Sequence, residues 1–253
     1  AAMTVLTLLG VAALGGAALL LRSSPAEADW ASNANGLGKK EVERIVRDYI
    51  LANPEVLVEA MNNLQAKEER TRAEKQRTSI SKFEKELFQN ANDFVAGNPK
   101  GDVTVVEFMD YRCGFCKRAR PDVLKLLEAD KNVRVVVKEF PILGPDSEMA
   151  SRAALASKKQ GKYWEFHLAL MAEPSIDEAT VFAVASATGL DVARLRKDME
   201  GKDITAQIDA NHALAQKLGI DSTPTFIFGD EPVAGAISLP RMQEMIAAAR
   251  KGG

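Results

Sequence analysis

The sequence predicts an α/β protein in which a helical block is inserted into a small sheet, with a helical stalk before it. Two apolar runs, 103–109 and 133–140, flank the amphipathic segment 114–129, and this is the strand–helix–strand pattern of a parallel βαβ unit. A helical pattern fills 147–218 before a third apolar run at 225–228. The sheet is therefore completed only after a long helical insertion.

The composition sets broad limits on the function. The chain has 253 residues, 46% of them hydrophobic and 27% charged, which is a normal globular balance. Its 33 Lys and Arg against 35 Asp and Glu give a net charge of −2, so it lacks the basic excess of a general nucleic-acid binder. Two cysteines are too few for a disulfide-rich scaffold or a four-thiolate zinc site. No nucleic-acid partner is expected.

The first segment, residues 1–28, predicts export across a membrane. Residues 3–21 are almost entirely apolar, Arg22 ends the run, and Ala26–Ala28 gives a small-x-small cleavage pattern. The favoured interpretation is a cleaved signal peptide, and the alternative is an uncleaved membrane anchor, because the run approaches the ~20 residues that span a bilayer. Either one delivers the remainder to an oxidising compartment, where a disulfide persists.

A stalk, defined as residues 29–64, follows this segment. Its first ten residues predict a loop, and two helical stripes are separated by Asn53 and Pro54, which suit a helix cap and a first helical position. The stripes are too short to bury much surface alone, so self-association is favoured over a hairpin folded onto the main domain. The stripe residues are Val42, Ile45, Val46, Tyr49, Ile50, Val56, Leu57, Ala60, Met61 and Leu64.

A charged linker, residues 65–98, comes next. Between Gln65 and Ser79 the only apolar residues are alanines, and good helix formers predominate, which predicts a solvated helix without core contacts. One helix over 55–89 is expected. The turn at Asn98–Gly101 marks the start of the main domain, which we assign to residues 99–253.

The main domain contains further predicted elements after its βαβ unit. Pro121 is expected to kink the helix at 114–129, and the helical insertion at about 147–218 is expected to break at Gly161, Pro174, Gly189 and Gly201. The strand at 225–228 is predicted to form a hairpin with residues 232–237. A helix at 239–251 closes the chain.

The two cysteines, Cys113 and Cys116, lie at the end of the first strand and the start of the following helix. A C-x-x-C in this position is typical of redox proteins. The unpaired N–H groups and the dipole of a helix N-terminus stabilise an anion, so the pKa of Cys113 is expected to lie below the usual value of about 8.5. Cys116, one turn later, is expected to be buried and to act as the resolving thiol.

Three alternatives compete with redox chemistry. A structural disulfide across two residues would constrain little unfolded chain and is therefore a poor staple. The two thiolates could instead hold a soft ion such as Cu(I), but no third cysteine exists, and His167 and His212 lie on predicted helices far along the chain. Inert buried thiols are the third alternative. Redox chemistry is favoured, and no metal site is predicted.

Glu107 is a candidate proton carrier. It lies on the strand leading to the cysteines, and strand alternation places it on the same side as Met109 and Tyr111. A carboxyl buried beneath the cysteines would have a raised pKa and could shuttle the proton of Cys116. The alternative is an ordinary exposed strand glutamate.

Two motifs and the stalk carry a family resemblance. The segments Asp110–Arg118 (DYRCGFCKR) and Thr223–Phe226 (TPTF) resemble the DsbA-like branch of the thioredoxin superfamily over residues 101–253. The resemblance implies a thioredoxin fold with an inserted helical domain. The stalk sequence Lys39–Leu64 resembles the N-terminal oligomerisation segment of the suppressor-of-copper-sensitivity C family and related periplasmic proteins.

The resemblance implies roles for particular residues. Cys113 would be the nucleophile and Cys116 the resolving cysteine. Pro224 would be cis beside the active-site disulfide, and Thr223 would offer backbone contacts to a bound polypeptide, with Gly114 and Phe115 completing the substrate-binding residues. The strongest oxidases of the branch carry a His where this chain has Phe115, which argues against extreme oxidising power.

Together these observations favour a periplasmic thiol–disulfide oxidoreductase that acts on unfolded or misfolded secreted proteins. Some relatives are stalk-held trimeric disulfide isomerases with a mobile linker and others are monomeric oxidases, and we favour a homotrimeric isomerase. The redox centre would be the Cys113–Cys116 disulfide without a separate cofactor, recycled by a membrane redox partner. The alternatives are a monomeric dithiol oxidase, a copper-binding or copper-resistance thiol protein, and a membrane-anchored reductant for a dedicated partner.

Overall fold

The computed structural model describes residues 38–252, and the predicted signal peptide or anchor at 1–28 lies outside this part of the chain. The chain divides into two compact units, one ending at Ala66 and one beginning at Lys67. Within residues 38–252, no helix is both long enough and apolar enough to cross a membrane.

The first unit contains helix α1 (Lys39–Ala52) and the start of helix α2 (Glu55–Lys82). The predicted break between the two helices is confirmed, with Asn53 bonding back to the carbonyl oxygen of Tyr49 through its backbone N–H at 2.9 Å and its side chain at 2.8 Å. Helix α1 buries no residue. The large apolar side chains exposed in this unit are Ile45, Val46, Tyr49, Leu51, Leu57, Val58, Met61 and Leu64.

The second unit begins within helix α2. Residues 67–75 are all exposed, which confirms the predicted solvated helix, and Ile80 is the one buried residue of α2. The single helix predicted over 55–89 is interrupted at Phe83, and α3 (Glu84–Phe88) follows. The interruption lets Ile80 and Leu87, on either side of it, pack into one apolar cluster.

The structure contains a strand that the sequence analysis assigned to the charged linker. Strand β1 (Phe94–Gly97) pairs antiparallel with β3 (Val133–Glu139) at one edge of the sheet. It has only four residues, and one of them is fully buried, so it lacks the alternation by which strands are recognised. The folded domain therefore extends to the N-terminal side of the turn at 98–101.

The sheet has five strands in the order β1–β3–β2–β4–β5. Strand β2 (Val103–Met109), helix α4 (Gly114–Ala129) and β3 form the predicted parallel βαβ unit. Strands β4 (Thr225–Phe228) and β5 (Glu231–Ala234) form the predicted hairpin, and β4 pairs antiparallel with β2. The C-terminal end of β2, which leads to Cys113, therefore lies beside the N-terminal end of β4, which follows Pro224.

The insertion between β3 and β4 is helical, with the predicted breaks. Gly161 and Gly189 have positive φ of 69° and 72° at the ends of helical segments, where glycine avoids the strain that a side chain would add. The segments are α5 (Pro145–Ser157), a 3₁₀ turn (Lys158–Gln160), α6 (Tyr163–Ala172), α7 (Glu178–Ala187), α8 (Val192–Met199) and α9 (Lys202–Leu218). Helix α10 (Leu239–Gly252) closes the chain.

Both faces of the central strands are covered, which explains their nearly continuous apolar sequence. Val106 and Phe108 of β2 pack in a cluster with α3 and α9. Val105 packs on the opposite face with α4 and α10, and Met109 of that face packs with the inserted helices. Two carboxyl groups, Glu107 and Glu139, interrupt this second apolar face.

Candidate active site

Cys113 occupies the N-cap position of helix α4 in an extended backbone conformation. Its sulfur accepts a hydrogen bond from the backbone N–H of Cys116 at 3.4 Å. The chain reaches this position because β2 ends at Met109 and the turn bonds the Cys113 N–H to the carbonyl oxygen of Asp110 at 3.1 Å. The predicted placement at a strand-to-helix junction is confirmed.

The two thiols have opposite electrostatic environments. The pKa of Cys113 is lowered to about 5, first by a hydrogen bond from the Cys116 thiol and further by the N–H groups of the helix N-terminus. The pKa of Cys116 is raised far above its ordinary value, mainly by burial, because this side chain is wholly inaccessible to solvent. Cys113 is therefore a thiolate at neutral pH, and Cys116 retains its proton.

Thr223 and Pro224 lie against the reactive sulfur. The thiol form of Cys113 donates a hydrogen bond to the carbonyl oxygen of Thr223 at 3.0 Å, across 110 positions of sequence. A hydrogen bond from Thr223 is also among the causes that lower the pKa of Cys113, after the bond from the Cys116 thiol. The Thr223–Pro224 peptide bond is cis, as the resemblance implied. Pro224 is buried, and Thr223 is partly exposed beside the sulfur.

Gly114 and Phe115 form the exposed part of the motif. The side chain of Phe115 is 56% exposed, and the Arg118 guanidinium lies 4.0 Å from its ring centroid. Cys113 itself is only 6% exposed. An exposed aromatic ring next to a nearly covered thiolate is a surface that a polypeptide segment can contact while its sulfur approaches Cys113.

Glu107 is buried and 6% exposed, in agreement with the sequence prediction. Its pKa is raised to about 8 by burial first and then by the charges of Cys113 and Glu139, with no hydrogen bond to stabilise the charged form. Its charge also raises the pKa of Cys116. The carboxyl is therefore mostly protonated at neutral pH and electrostatically coupled to both cysteines.

Asp110 anchors the turn before the cysteines, a role that the sequence analysis did not predict. Its buried carboxylate accepts four hydrogen bonds at 2.7–3.0 Å, which hold the turn itself and join it to the segment after β3 and to the start of α5. The donors are the N–H groups of Arg112, Ile142 and Leu143 and the hydroxyl of Ser147.

A buried polar network surrounds Glu139, and it was not predicted from the sequence. The Glu139 carboxylate accepts hydrogen bonds from the hydroxyls of Tyr111 at 2.9 Å and Tyr163 at 2.6 Å. The Tyr111 oxygen lies 2.9 Å from Nδ1 of His167, so a residue far along the sequence contacts the turn before the cysteines. Alternation along Val133, Val135 and Val137 would have placed Glu139 on an apolar face, and that was the available signal.

Two basic residues of α4 tie the active-site helix to the inserted helices. Lys117 donates from Nζ to the carbonyl oxygen of Glu173 at 2.5 Å, and Arg120 donates from Nη1 to that of Leu168 at 2.8 Å. Leu168 lies within α6, and Glu173 is the C-cap of the same helix. The insertion is therefore bonded to the helix that carries the cysteines.

A low-pKa thiolate paired with a protonated, buried thiol is the arrangement needed for thiol–disulfide exchange. The fold and the site together define a thioredoxin-type thiol–disulfide oxidoreductase. The DSBA-like thioredoxin domain model matches residues 104–247, and the chain belongs to this family. The N-terminal domain model of copper resistance protein ScsC matches residues 39–70.

Solved structures and a curated relative extend the similarity. A thioredoxin-like oxidoreductase from Silicibacter pomeroyi is 48% identical, with a TM-score of 0.65 over 66% of this chain and 97% of that one. Proteus mirabilis ScsC in a transitional conformation is 27% identical, with a TM-score of 0.64 over 85% and 97%. Disulfide bond formation protein D of Bacillus subtilis is 27% identical over 65% of this chain and 85% of its own length.

Other curated relatives are much longer than this chain. The chain spans about a quarter of the length of the Na(+)/H(+) antiporters of the NhaA type from Salinispora tropica and Salinispora arenicola, to which it is 29% identical in the matched region.

Proposed function

We propose that the protein is a periplasmic disulfide isomerase that acts on secreted polypeptides as a stalk-held oligomer, with a trimer favoured. The observation that carries the exchange chemistry is the contrast between Cys113, with a pKa lowered to about 5, and Cys116, with a raised one, beside cis Pro224. A periplasmic thioredoxin-like protein from Salmonella enterica, 26% identical, supports the location.

The proposed reaction begins at Cys113. Its thiolate attacks one sulfur of a substrate disulfide, a mixed disulfide forms, and the other substrate sulfur leaves as a thiolate. In isomerisation, a different substrate thiolate attacks the mixed disulfide and regenerates the Cys113 thiolate, so no net oxidation or reduction occurs. A substrate held too long is released when Cys116 attacks Cys113, which leaves the substrate reduced and the two cysteines joined.

Glu107 is the proposed proton carrier of that release step. Cys116 must lose its proton before it attacks, and its raised pKa makes this loss unfavourable without an acceptor. The ionised Glu107 carboxyl accepts the proton, and in the reverse direction the protonated carboxyl returns it to the Cys116 thiolate. Membrane-bound recycling of the resulting disulfide is part of the proposal, with no cofactor beyond the two sulfurs.

The stalk supplies the proposed distinction between isomerase and oxidase. Eight large apolar side chains of the first unit are exposed, and copies of the stalk are the partners proposed to cover them. Several catalytic domains on one oligomer hold a substrate at high effective concentration while its disulfides reshuffle. The match to the ScsC N-terminal domain supports this assembly.

A refolding experiment tests the proposal on the chain from residue 29 onward. A protein with scrambled disulfides is incubated with the reduced wild-type chain, with C113S, and with the stalk double variant L57E/M61E, while light scattering gives each mass. The matched control N62E/N63E adds the same charge at exposed polar positions of the same helix. We expect isomerisation by the wild type and the control, none by C113S, and a monomeric L57E/M61E that reduces small disulfides but no longer isomerises.

Two outcomes would contradict the proposal at different levels. Undiminished isomerisation by a monomeric L57E/M61E would remove the stalk from the mechanism. A wild-type chain that exchanges no disulfides would remove the enzymatic function itself.

A copper-binding function is the second candidate, because the stalk matches the N-terminal domain of the copper resistance protein ScsC. The two sulfurs would hold one Cu(I), a soft ion that prefers thiolates. Stoichiometric Cu(I) binding by the reduced chain, lost in C113S and accompanied by no exchange with protein disulfides, would favour this candidate over the isomerase.

A further inference from the structure

Two buried carboxyl groups share one face of the sheet beneath the cysteines. Strands β2 and β3 are parallel, with Glu107 opposite Val137 and Met109 opposite Glu139. Side chains alternate along a strand, so Glu107 and Glu139 lie on the same face of adjacent strands, two positions out of register. Glu107 is 6% exposed and Glu139 is 1% exposed. Little water can therefore screen the charge of one carboxyl group from the other.

The two carboxyl groups differ in their hydrogen bonds. Glu139 accepts from the hydroxyls of Tyr111 and Tyr163, and such donors stabilise the ionised form. Among residues 38–252, no comparable donor contributes to the pKa of Glu107. The charge of Glu139 also contributes to the raised pKa of Glu107. Repulsion between neighbouring carboxylates therefore favours ionisation of Glu139 and protonation of Glu107.

Other charged or titratable groups act on Glu139 from the elements packed around it. Lys158, in the 3₁₀ turn, is electrostatically coupled to it and favours its ionised form, whereas Asp110 opposes ionisation. His167 is neutral at pH 7, since burial lowers its pKa to about 3, and it adds no charge. Burial is the main cause that raises the pKa of Glu139, and the hydroxyl donors lower it, so that it lies at about 7, below that of Glu107 at about 8.

We propose that Glu139 is a positioning residue for disulfide exchange: its ionised carboxyl, held by Tyr111 and Tyr163, keeps Glu107 protonated near Cys116. Glu107 then has a proton ready for the Cys116 thiolate when a substrate thiolate opens the Cys113–Cys116 disulfide. In that step the proton moves from the carboxyl to the sulfur, and Glu107 becomes the carboxylate. The inference rests on the proposed exchange function and assigns Glu139 a part in it.

The test is a pH titration of the Glu107 carboxyl in the reduced chain, followed by carbon-13 NMR and assigned with E107Q. In E139Q the neighbouring charge is gone, and we expect the Glu107 midpoint to fall by roughly one pH unit. The second variant, Y163F, keeps the carboxyl but removes one donor, and it is expected to shift the midpoint in the same direction by less. S157A is the matched control, because Ser157 is buried in the same insertion and its hydroxyl donates to the carbonyl oxygen of Ala154.

A Glu107 midpoint in folded E139Q and Y163F equal to that of the wild type would overturn the inference. If a general loss of packing caused the shift, the Glu107 midpoint would also change in S157A. A shift in S157A as large as that in E139Q would therefore also contradict the inference. The titration requires no turnover, so it tests the role of Glu139 separately from the proposed function. A shifted midpoint in a chain that exchanges no disulfides would contradict the proposed function alone. An unshifted midpoint in an active chain would sink only the role of Glu139.

Discussion

At the scale of single residues, Cys113 and Cys116 show how position makes two identical side chains chemically different. One lies at the N-cap of a helix, where N–H groups stabilise its charge, and the other lies one turn later in the apolar interior. This contrast was predictable from sequence, because a strand followed by C-x-x-C and a helix fixes both positions.

The lowered pKa of Cys113 predicts a pH-dependent stability of the reduced protein. Its pKa is about 5 in the native state, below the unfolded value of about 8.5. The thiolate therefore contributes its full stabilisation above the unfolded value, and this contribution is lost as the pH falls through about 5. Urea unfolding of the reduced chain between pH 4 and pH 9 should show this gain, and C113A should lack it. Equal pH dependence in both proteins would refute the assigned pKa.

Glu107 predicts a separate effect on the release step. In E107Q the acceptor for the Cys116 proton is missing, so release of a Cys113 mixed disulfide should slow by about 100-fold, a usual size for general base catalysis. The wild-type rate should rise with pH toward the pKa of about 8, and E107Q should lack that rise. Rapid-quench measurement of the mixed disulfide reports the step.

Alkylation of Cys113 is the internal control for this variant, because it needs no proton from Cys116. We expect its rate at pH 7 to be nearly the same in E107Q and wild type. A variant that releases its mixed disulfide at the wild-type rate would show that Glu107 carries no proton.

At the scale of elements, strand β1 is the main difference between the sequence prediction and the structure. Its attachment depends on a buried ion pair between Lys138 of β3 and Asp93, with Lys138 also donating to the carbonyl oxygen of Glu86 at 2.6 Å. Burial raises the pKa of Asp93 and lowers that of Lys138. The sequence could not predict this pairing, because Lys138 looks like a solvent-facing strand residue, and only the folded chain brings Glu86 of α3 and Asp93 against its amine.

Substitution of Lys138 by Met predicts a large loss of stability. It leaves a buried carboxyl without its cation, and breaking such a pair from one side costs about 3–5 kcal/mol. The loss should be greater at pH 8 than at pH 5, because burial raises the pKa of Asp93 and a lower pH favours its uncharged form. Denaturant unfolding at both pH values measures it. K131M, at an exposed lysine, should differ little from wild type, and similar losses in the two variants would contradict the buried pair.

At the scale of the whole molecule, the sequence placed the charged linker at residues 65–98 apart from the main domain at 99–253, whereas the second compact unit begins at Lys67 and contains both. Composition identified the exposed, charged stretch of α2 correctly. The spacing of Ile80, Phe83, Leu87 and Phe88 indicated that an apolar face resumes after this stretch. It could not show that Ile80, only 3% exposed, packs in a cluster with Phe108 of β2, because the two residues are distant in sequence. The order of the insertion and the cysteine motif were predicted; the partners of Glu139 and Asp110 were not, because they are distant in sequence.

The burial of Ile80 indicates that the end of α2 is part of the core of the second unit. I80A should lower the free energy of unfolding by about 2–5 kcal/mol, the usual cost of truncating a buried isoleucine, while K75A, at an exposed position of the same helix, should change it little. Thermal and denaturant unfolding provide the comparison. A chain that begins at Lys67 should accordingly unfold at higher denaturant concentration than one that begins at Ser81, and equal midpoints would refute this boundary.

The bond between Cys113 and the carbonyl of Thr223 has a consequence for biosynthesis. The two residues are 110 positions apart, and a ribosome that adds about 5–20 residues per second needs roughly 6–22 s to make the intervening chain. Throughout that interval the nascent chain has both thiols but no β4 to lie beside them. The reactive sulfur is therefore made early and covered late, and a chain arrested before residue 223 presents its cysteines without the cover that the finished protein gives them.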